Sequence, residues 1–119
     1  MNKVNVRKKF SLFREYWTPK IIGELNENHI KLFKAKGELV WHRHENEDEF
    51  FLIIKGQLKI KLRDREITLN EGEFFIVPKG VDHLPCAENE AWVLLVEPKQ
   101  VINTGNVVSE QTVKSPEWI

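Results

Sequence analysis

Residues 42–56, HRHENEDEFFLIIKG, carry the pattern that most constrains the fold of this chain. His42 and His44 stand one residue apart, and on a strand such a pair points to the same face, close enough to grip one ion. The polar stretch 45–48 is typical of a loop, after which Glu49 begins a neighbouring antiparallel strand. Its carboxylate is then expected to lie beside the histidine pair.

A second stretch, residues 72–83 (GEFFIVPKGVDH), adds a third histidine. His83 follows the turn Pro78-Lys79-Gly80, which brings it in from a separate strand. Three imidazoles and one carboxylate then converge inside a barrel, and such donors suit Fe(II), Mn(II), Ni(II), Zn(II) or Cu(II) better than Ca(II). We therefore predict one divalent transition-metal ion per chain, with the ligands His42, His44, Glu49 and His83.

Short β-like runs separated by turn signals occupy the middle of the chain. In residues 57–63, apolar and polar side chains alternate with the period of a strand that buries one face. Eight strands are predicted in this way: Lys20–Leu25, His29–Ala35, Glu38–His44, Glu49–Ile54, Gln57–Arg63, Ile67–Leu69, Phe74–Val77 and Trp92–Val96. Because no helices intervene, this arrangement favours an antiparallel sandwich or barrel.

The two ends of the chain differ from this middle part. A short helix is predicted within residues 1–19, ended by Pro19, because apolar residues recur there at helical spacing: Val6, Phe10, Phe13 and Trp17. The basic opposite face suits a membrane or partner surface, but plain packing of the apolar face on the chain's own barrel or on a sister subunit is favoured. Residues 98–119 predict an extended tail that wraps the body.

The composition indicates one soluble domain over residues 1–119, with the barrel in 20–97. Eighteen basic and eighteen acidic side chains cancel, which argues against nucleic acid or an anionic membrane as the partner. No apolar run approaches the roughly 20 residues that span a bilayer. The single cysteine, Cys86, excludes an internal disulfide and favours the cytoplasm.

The two quoted stretches resemble the signature motifs of the cupin superfamily, His-x-His-x4-Glu-x6-Gly and Gly-x5-Pro-x-Gly-x2-His. The chain is similar to small stand-alone cupins of the mannose-6-phosphate-isomerase-like group. The resemblance implies a double-stranded β-helix, or jelly-roll barrel, with the four ligands named above. It also implies turn roles for Gly56, Gly72, Pro78 and Gly80. The glycine that opens the first motif would fall one position before Gly37, and Ala87 stands where the second motif often ends in asparagine.

For a metal-binding cupin we weigh an enzyme against a binding module. The enzyme would be an Fe(II) or Mn(II) dioxygenase or a metal-assisted isomerase or lyase, with Glu49 as a proton acceptor besides its ligand role. Its small organic substrate would meet an apolar wall formed by Phe51, Ile53, Leu58, Ile60 and Leu62. The alternative is a non-catalytic module or sensor for a sugar or organic acid. Fold alone does not decide between them.

The remaining candidate residues are given structural roles. His29 lies outside both motifs, Cys86 has no histidine base in its motif context, and Arg43 should point away from the metal. The acidic residues in 45–48 predict a solvated loop. The resemblance also implies a homodimer, formed by adding strand 20–25 to the sheet of a second copy.

Overall fold

Two long strands organise the structure, a computed structural model that describes residues 2–119. One helix and eight strands occur in this part of the chain. They are α1 (Val6–Phe10), β1 (Lys20–Leu25), β2 (Asn28–Glu38), β3 (Glu49–Lys55), β4 (Leu58–Leu62), β5 (Glu66–Leu69), β6 (Phe74–Val77), β7 (His83–Pro98) and β8 (Glu117–Trp118).

Strand β7 connects the two halves of the sheet. It runs antiparallel to β2 over almost its whole length. On its other edge, its first residues pair with β4 and its last residues pair with β3. The strand order is therefore β5-β4-β7-β2-β1-β8, while β3 also pairs with β6. This sharing of one bent strand wraps the sheet around a common interior.

The interior is filled by the buried face of each strand. Alternate residues of β3, β4 and β7 point inwards, and most of them have no more than a few per cent exposure. The core includes Phe33, Phe51, Ile53, Leu58, Ile60, Val93 and Leu95. Burial of each such side chain contributes about 1.5–3 kcal/mol, so this core holds the strands that carry the candidate site.

The N-terminal helix is shorter than predicted. It ends at Phe10, although Phe13 and Trp17 are buried as the apolar pattern requires. Beyond the helix, backbone groups form hydrogen bonds with Lys34 of β2. The Trp17 N–H donates to the Lys34 carbonyl at 2.8 Å. The Lys34 ammonium donates to the Phe13 carbonyl at 2.8 Å. Trp17 also has a φ of 56°, which a helix does not allow. Contacts with the sheet therefore override the helical period.

The apolar face of this segment packs on the chain's own sheet. Phe10 stacks on Trp92 with ring centroids 4.7 Å apart, and it shares a buried cluster with Phe13, Ile22 and Leu32. The sequence analysis favoured packing on the chain's own barrel or on a sister subunit, and the structure shows packing on the chain's own barrel. Within residues 2–119, no helix has the length and apolar character that crossing a bilayer requires.

Two predicted strands are corrected. The predicted strand Glu38–His44 is wrong, because β2 continues through a register shift near Gly37 and ends at Glu38. Beyond it, His42 forms only an isolated bridge with His83. The predicted strand Trp92–Val96 is the end of a longer one, β7, whose earlier residues find partners in β4 and β2. Long-range pairing, which local pattern does not reveal, causes both differences.

The C-terminal tail returns to the first strand. β8 pairs in parallel with Lys20 and Ile21 of β1, and Ile119 packs against the cluster around Phe10. Val101 is buried, whereas Trp118 is 53% exposed. The tail thus occupies part of the strand edge through which a homodimer was expected, and the dimer stays a prediction.

We predict that Gly56→Ala destabilises the fold more than Gly72→Ala. Both glycines have a positive φ, 79° and 82°, where a Cβ costs about 1–2 kcal/mol. At Gly56 the Cβ would also lie 2.6 Å from the Glu90 carbonyl oxygen, whereas nothing lies within 4 Å at Gly72. Overpacking should remove about 1–3 kcal/mol more from the free energy of unfolding of Gly56→Ala. Urea denaturation followed by circular dichroism measures both, and equal losses would contradict the packing argument.

Candidate metal centre

Four buried side chains converge at one end of the barrel interior. One ligand atom from each of His42, His44, Glu49 and His83 lies within 4.8 Å of all the others. Their exposure is 6% or less. The sequence prediction therefore names the residues that the structure brings together, although their role as metal ligands stays a prediction.

Backbone pairing positions two of the histidines. The His42 N–H donates to the His83 carbonyl at 3.0 Å, and the His83 N–H donates to the His42 carbonyl at 2.9 Å. The first segment is fixed again where the Gly80 N–H donates to the His44 carbonyl at 2.8 Å. Glu49 is the first residue of β3, as predicted. The predicted extended strand is thus unnecessary, because these bonds alone align the histidines.

Hydrogen bonds also fix the tautomer of two imidazoles. His42 Nδ1 lies 2.8 Å from the Val40 carbonyl oxygen, and His83 Nδ1 lies 2.9 Å from the Val81 carbonyl oxygen. A carbonyl oxygen can only accept, so Nδ1 carries the hydrogen in both rings. In each neutral ring Nε2 then presents a lone pair to the centre of the cluster. This is the tautomer that a metal-binding histidine needs.

Glu49 faces two of these imidazoles. Its Oε1 lies 3.2 Å from His83 Nε2, and its Oε2 lies 3.2 Å from His44 Nε2. In the neutral tautomer of His83, Nε2 and Oε1 are both acceptors, and two acceptors at this distance repel unless a proton or a cation lies between them. The donor arrangement therefore fits a positive ion at the centre.

Two ring nitrogens of the cluster, the Nε2 atoms of His42 and His44, are buried without a hydrogen-bond partner in the described chain. His44 Nε2 is close to Glu49 Oε2, but the contact does not have the geometry of a hydrogen bond. A third such nitrogen, Nδ1 of His29, lies outside the cluster. Leaving a buried polar atom unsatisfied costs about 1–3 kcal/mol. Coordination to a metal would satisfy both atoms, so the residues present fit a divalent transition metal better than an empty polar cluster.

The pKa values of the cluster differ in direction. Burial, followed by repulsion from His83, lowers the pKa of His42 to about 4. Burial opposes protonation of His44 as well, but contact with Glu49 and its negative charge raises the His44 pKa above the ordinary value. Burial of Glu49 is outweighed by the two facing imidazoles, which hold its pKa well below the usual range. Glu49 is therefore a carboxylate near neutral pH.

An apolar cavity opens beside the cluster. Its polar lining is His42, Glu49 and Asn103, and its apolar lining is Trp17, Pro19, Phe33, Leu39, Phe51, Pro85 and Leu95. Only about 20 Å³ of it is open to the centre of a water-sized sphere, which is room for about one water molecule. A larger ligand would have to displace part of this lining.

Only one predicted wall residue lines this cavity. Phe51 does, whereas Ile53, Leu58 and Ile60 lie in the core with no exposed surface. Leu62 is partly buried and packs against that core. The alternation of apolar and polar residues correctly placed these side chains inside the barrel. Core packing fills the space around them, and the open space lies beside Trp17 and Leu39.

The C-terminal tail lies against the cluster, which the sequence analysis missed. The Arg43 N–H donates to Asn106 Oδ1 at 2.9 Å, and the Asn106 N–H donates to the Arg43 carbonyl at 3.1 Å. Gly105 comes so close that a Cβ there would overlap the Arg43 carbonyl oxygen and would lie 3.1 Å from His42 Cδ2. The signal available was the glycine in Thr104-Gly105-Asn106, but nothing local connects it to residue 43.

The other predicted residues lie where they were expected or nearby. The Arg43 side chain is partly exposed and pairs with Glu45 and with Asp82. His29 lies outside the cluster, with its ring 5.7 Å from that of Trp118. Burial raises the pKa of the Cys86 thiol, in keeping with an unreactive side chain. Positive φ values occur at the turn glycines Gly56, Gly72 and Gly80.

We predict a fixed order of histidine titration in metal-free protein. His44 should lose its proton above the ordinary histidine pKa, whereas His42 should lose its proton near pH 4. Because metal must displace the His44 proton, affinity for Zn(II) should fall as pH drops through the His44 pKa, by at most about tenfold per pH unit. NMR of the ring protons gives the order, and a His42 that titrates above His44 would contradict it.

Comparison with known proteins identifies the family and supports the fold. The cupin domain family matches residues 30–96 of the chain. The structure of a cupin-2 domain containing protein from Shewanella frigidimarina superposes with a TM-score of 0.80 and 45% identity, covering 81% of this chain and 94% of that one.

Two curated relatives show how far the similarity extends. The uncharacterized protein YdbB of Bacillus subtilis is 34% identical over 80 residues, 66% of this chain and 71% of that protein. The 3-hydroxyanthranilate 3,4-dioxygenase of Xenopus tropicalis is 30% identical over 90 residues. That match covers 69% of this chain, which spans about a third (32%) of the dioxygenase. With the family match over more than half of its length, this chain belongs to the cupin superfamily and has the jelly-roll β-barrel of that family.

Proposed function

We propose that this protein binds one divalent transition-metal ion per chain through His42, His44, Glu49 and His83, and acts there on a small organic molecule. The observation that carries the proposal is the convergence of three buried imidazoles on an ionised carboxylate, with no hydrogen-bond partner for Nε2 of His42 or of His44. Such a cluster is costly without a cation at its centre.

An enzyme is the favoured form of this function, either a dioxygenase or a metal-assisted isomerase or lyase. A bound Fe(II), Mn(II), Ni(II) or Zn(II) ion would supply Lewis acidity and, for iron or manganese, reactivity towards dioxygen. The cavity wall is mostly apolar, and Phe33, Phe51 and Leu95 offer a surface for the apolar part of a small ligand. The partial match to a 3-hydroxyanthranilate dioxygenase supports the dioxygenase class.

Glu49 has a second role in this proposal. It lines the cavity as an ionised carboxylate, so it has lone pairs that can accept a proton from a ligand beside it, and its low pKa means that this ligand must be acidic. Among the residues that line the cavity, it is the one carboxylate. We therefore assign to Glu49 proton acceptance as well as metal coordination.

The alternative is a non-catalytic module that retains a sugar or an organic acid. One observation favours it: the tail residues Gly105 and Asn106 lie against the His42-Arg43 segment. Asn106 holds them there with one backbone hydrogen bond to the Arg43 carbonyl and one side-chain oxygen that accepts from the Arg43 N–H. A tail fixed against a ligand residue would slow ligand exchange on that side, which suits binding better than turnover. Membership of the mannose-6-phosphate-isomerase-like group, the homodimer and the cytoplasmic location remain predictions.

We expect about one transition-metal ion per chain in tag-free protein, measured by plasma mass spectrometry after anaerobic reconstitution. The double variant His42→Ala/His83→Ala should lose it, because two of the four donors are gone. His29→Ala is the matched control, since this histidine lies outside the cluster and should leave the metal content unchanged. Wild-type protein without metal after reconstitution would overturn the proposal.

Activity distinguishes the two forms of the function. Protein loaded with Fe(II) or Mn(II) should consume dioxygen or isomerise or cleave a compound from a broad panel of small oxygenated molecules. Glu49→Gln should abolish turnover. A compound that binds tightly to the loaded protein and is recovered unchanged would favour the binding module instead.

A further inference from the structure

A buried ion pair lies deep in the barrel, and the four-ligand cluster does not include it. Lys31 is 1% exposed and Glu97 is 2% exposed. Lys31 Nζ donates to Glu97 Oε1 at 3.0 Å and to the Val101 carbonyl at 3.4 Å. Removing two charges from water costs several kcal/mol for each ion, so such a pair gives little net stability. Its presence inside a small apolar barrel calls for another role.

The strand registers place this pair directly beside the site. β2 and β7 pair Lys31 with Leu95 and His29 with Glu97, which makes Lys31 and Glu97 diagonal neighbours. β3 and β7 pair Phe50 with Val96, and one step further along the same register sets Glu49 beside Glu97. Both strands bury these positions. Glu97 therefore lies between the ammonium of Lys31 and the carboxylate of Glu49.

The two oxygens of Glu97 have different surroundings. Oε1 accepts the hydrogen bond from Lys31, whereas Oε2 is buried and has no hydrogen-bond partner in the described chain. One oxygen of Glu97 is thus anchored by Lys31, and the other is left beside Glu49, its neighbour in the β3–β7 register.

We propose that Lys31 and Glu97 are positioning residues that hold Glu49 in its orientation towards the three histidines and thereby set the metal affinity of the site. The inference rests on the proposed metal-binding function and adds residues that neither cupin motif contains. Outer partners of a ligand commonly change metal affinity by about 10–100-fold when they are removed. They act by reducing the freedom that the ligand loses when it binds the ion.

The decisive variant replaces the pair by apolar side chains of similar length, Lys31→Met/Glu97→Leu. Replacing a buried ion pair in this way is often neutral or stabilising for folding, so urea denaturation should show an unchanged or higher midpoint. The affinity for Zn(II), measured by competition with a fluorescent chelator, should nevertheless fall about 10–100-fold. If the pair served the fold alone, the urea midpoint would change and the affinity for Zn(II) would stay at the wild-type value.

Two single variants test the same point, each checked first for folding by circular dichroism, because Glu97→Leu leaves the Lys31 ammonium buried without its partner. Glu97→Gln keeps an oxygen for Lys31 and an amide N–H for Glu49, so it should retain Zn(II) affinity within a few-fold. Glu97→Leu keeps neither and should lose about 10–100-fold. The exposed pair Lys61 and Glu38, 3.1 Å apart, supplies the matched control Lys61→Met/Glu38→Leu, which should bind Zn(II) as the wild type does.

The outcomes separate the two proposals. Folded variants of Glu97 that bind Zn(II) with wild-type affinity would overturn the positioning role and leave the metal site standing. Wild-type protein that binds no Zn(II) would overturn the metal site and the positioning role together. Loss of affinity in Glu97→Leu with retention in Glu97→Gln would establish the role of Glu97 in supporting Glu49.

Discussion

The candidate site depends on one reciprocal pair of backbone hydrogen bonds, between His42 and His83. These residues are far apart in the sequence and belong to no common regular ladder, since His42 lies outside the named strands. The bridge sets the distance between the two imidazoles, whose ring centroids lie 4.3 Å apart. Each ring is then oriented by the carbonyl two residues before it. Short-range and long-range hydrogen bonds together turn both Nε2 atoms to one point.

The barrel interior is divided into an apolar part and a charged part. Phe33, Ile53, Leu58, Ile60 and Val93 fill the apolar part and hold the strands together. The other part, which is polar and includes the charged groups, contains three histidines, two glutamates and Lys31, all nearly excluded from solvent. Groups of this kind are costly to bury unless each has a partner. The ion pair of Lys31 with Glu97 and the unpartnered Nε2 atoms therefore belong to one electrostatic arrangement, which a cation would complete.

The sequence predicted the parts of the structure that local pattern encodes. The bounds of β1 and β6 are those predicted, and the start of β3 at Glu49 is confirmed. The motif spacing named the four residues that converge. It could not reveal that β7 extends back to His83, because the residues before Trp92 gain their strand conformation by pairing with β4 and β2. The helix prediction failed beyond Phe10 for the same reason, since β2 binds the backbone of that segment.

The residues that sequence reasoning missed share one property: their partners lie in distant parts of the chain. Lys31 and Glu97 each stand at the end of a row of inward apolar positions, and a charged residue there is the signal that was available, but only the strand register shows that the two meet. Gly105 shows the same limit, since its need for glycine comes from Arg43 and His42. The tail also contacts the ion pair, because Lys31 donates to the Val101 carbonyl. The C-terminal tail therefore packs on His42 through Gly105 and accepts a hydrogen bond from the Lys31 ammonium through Val101. The same ammonium anchors Glu97. The metal ligands and their supports form one connected network that no single motif contains.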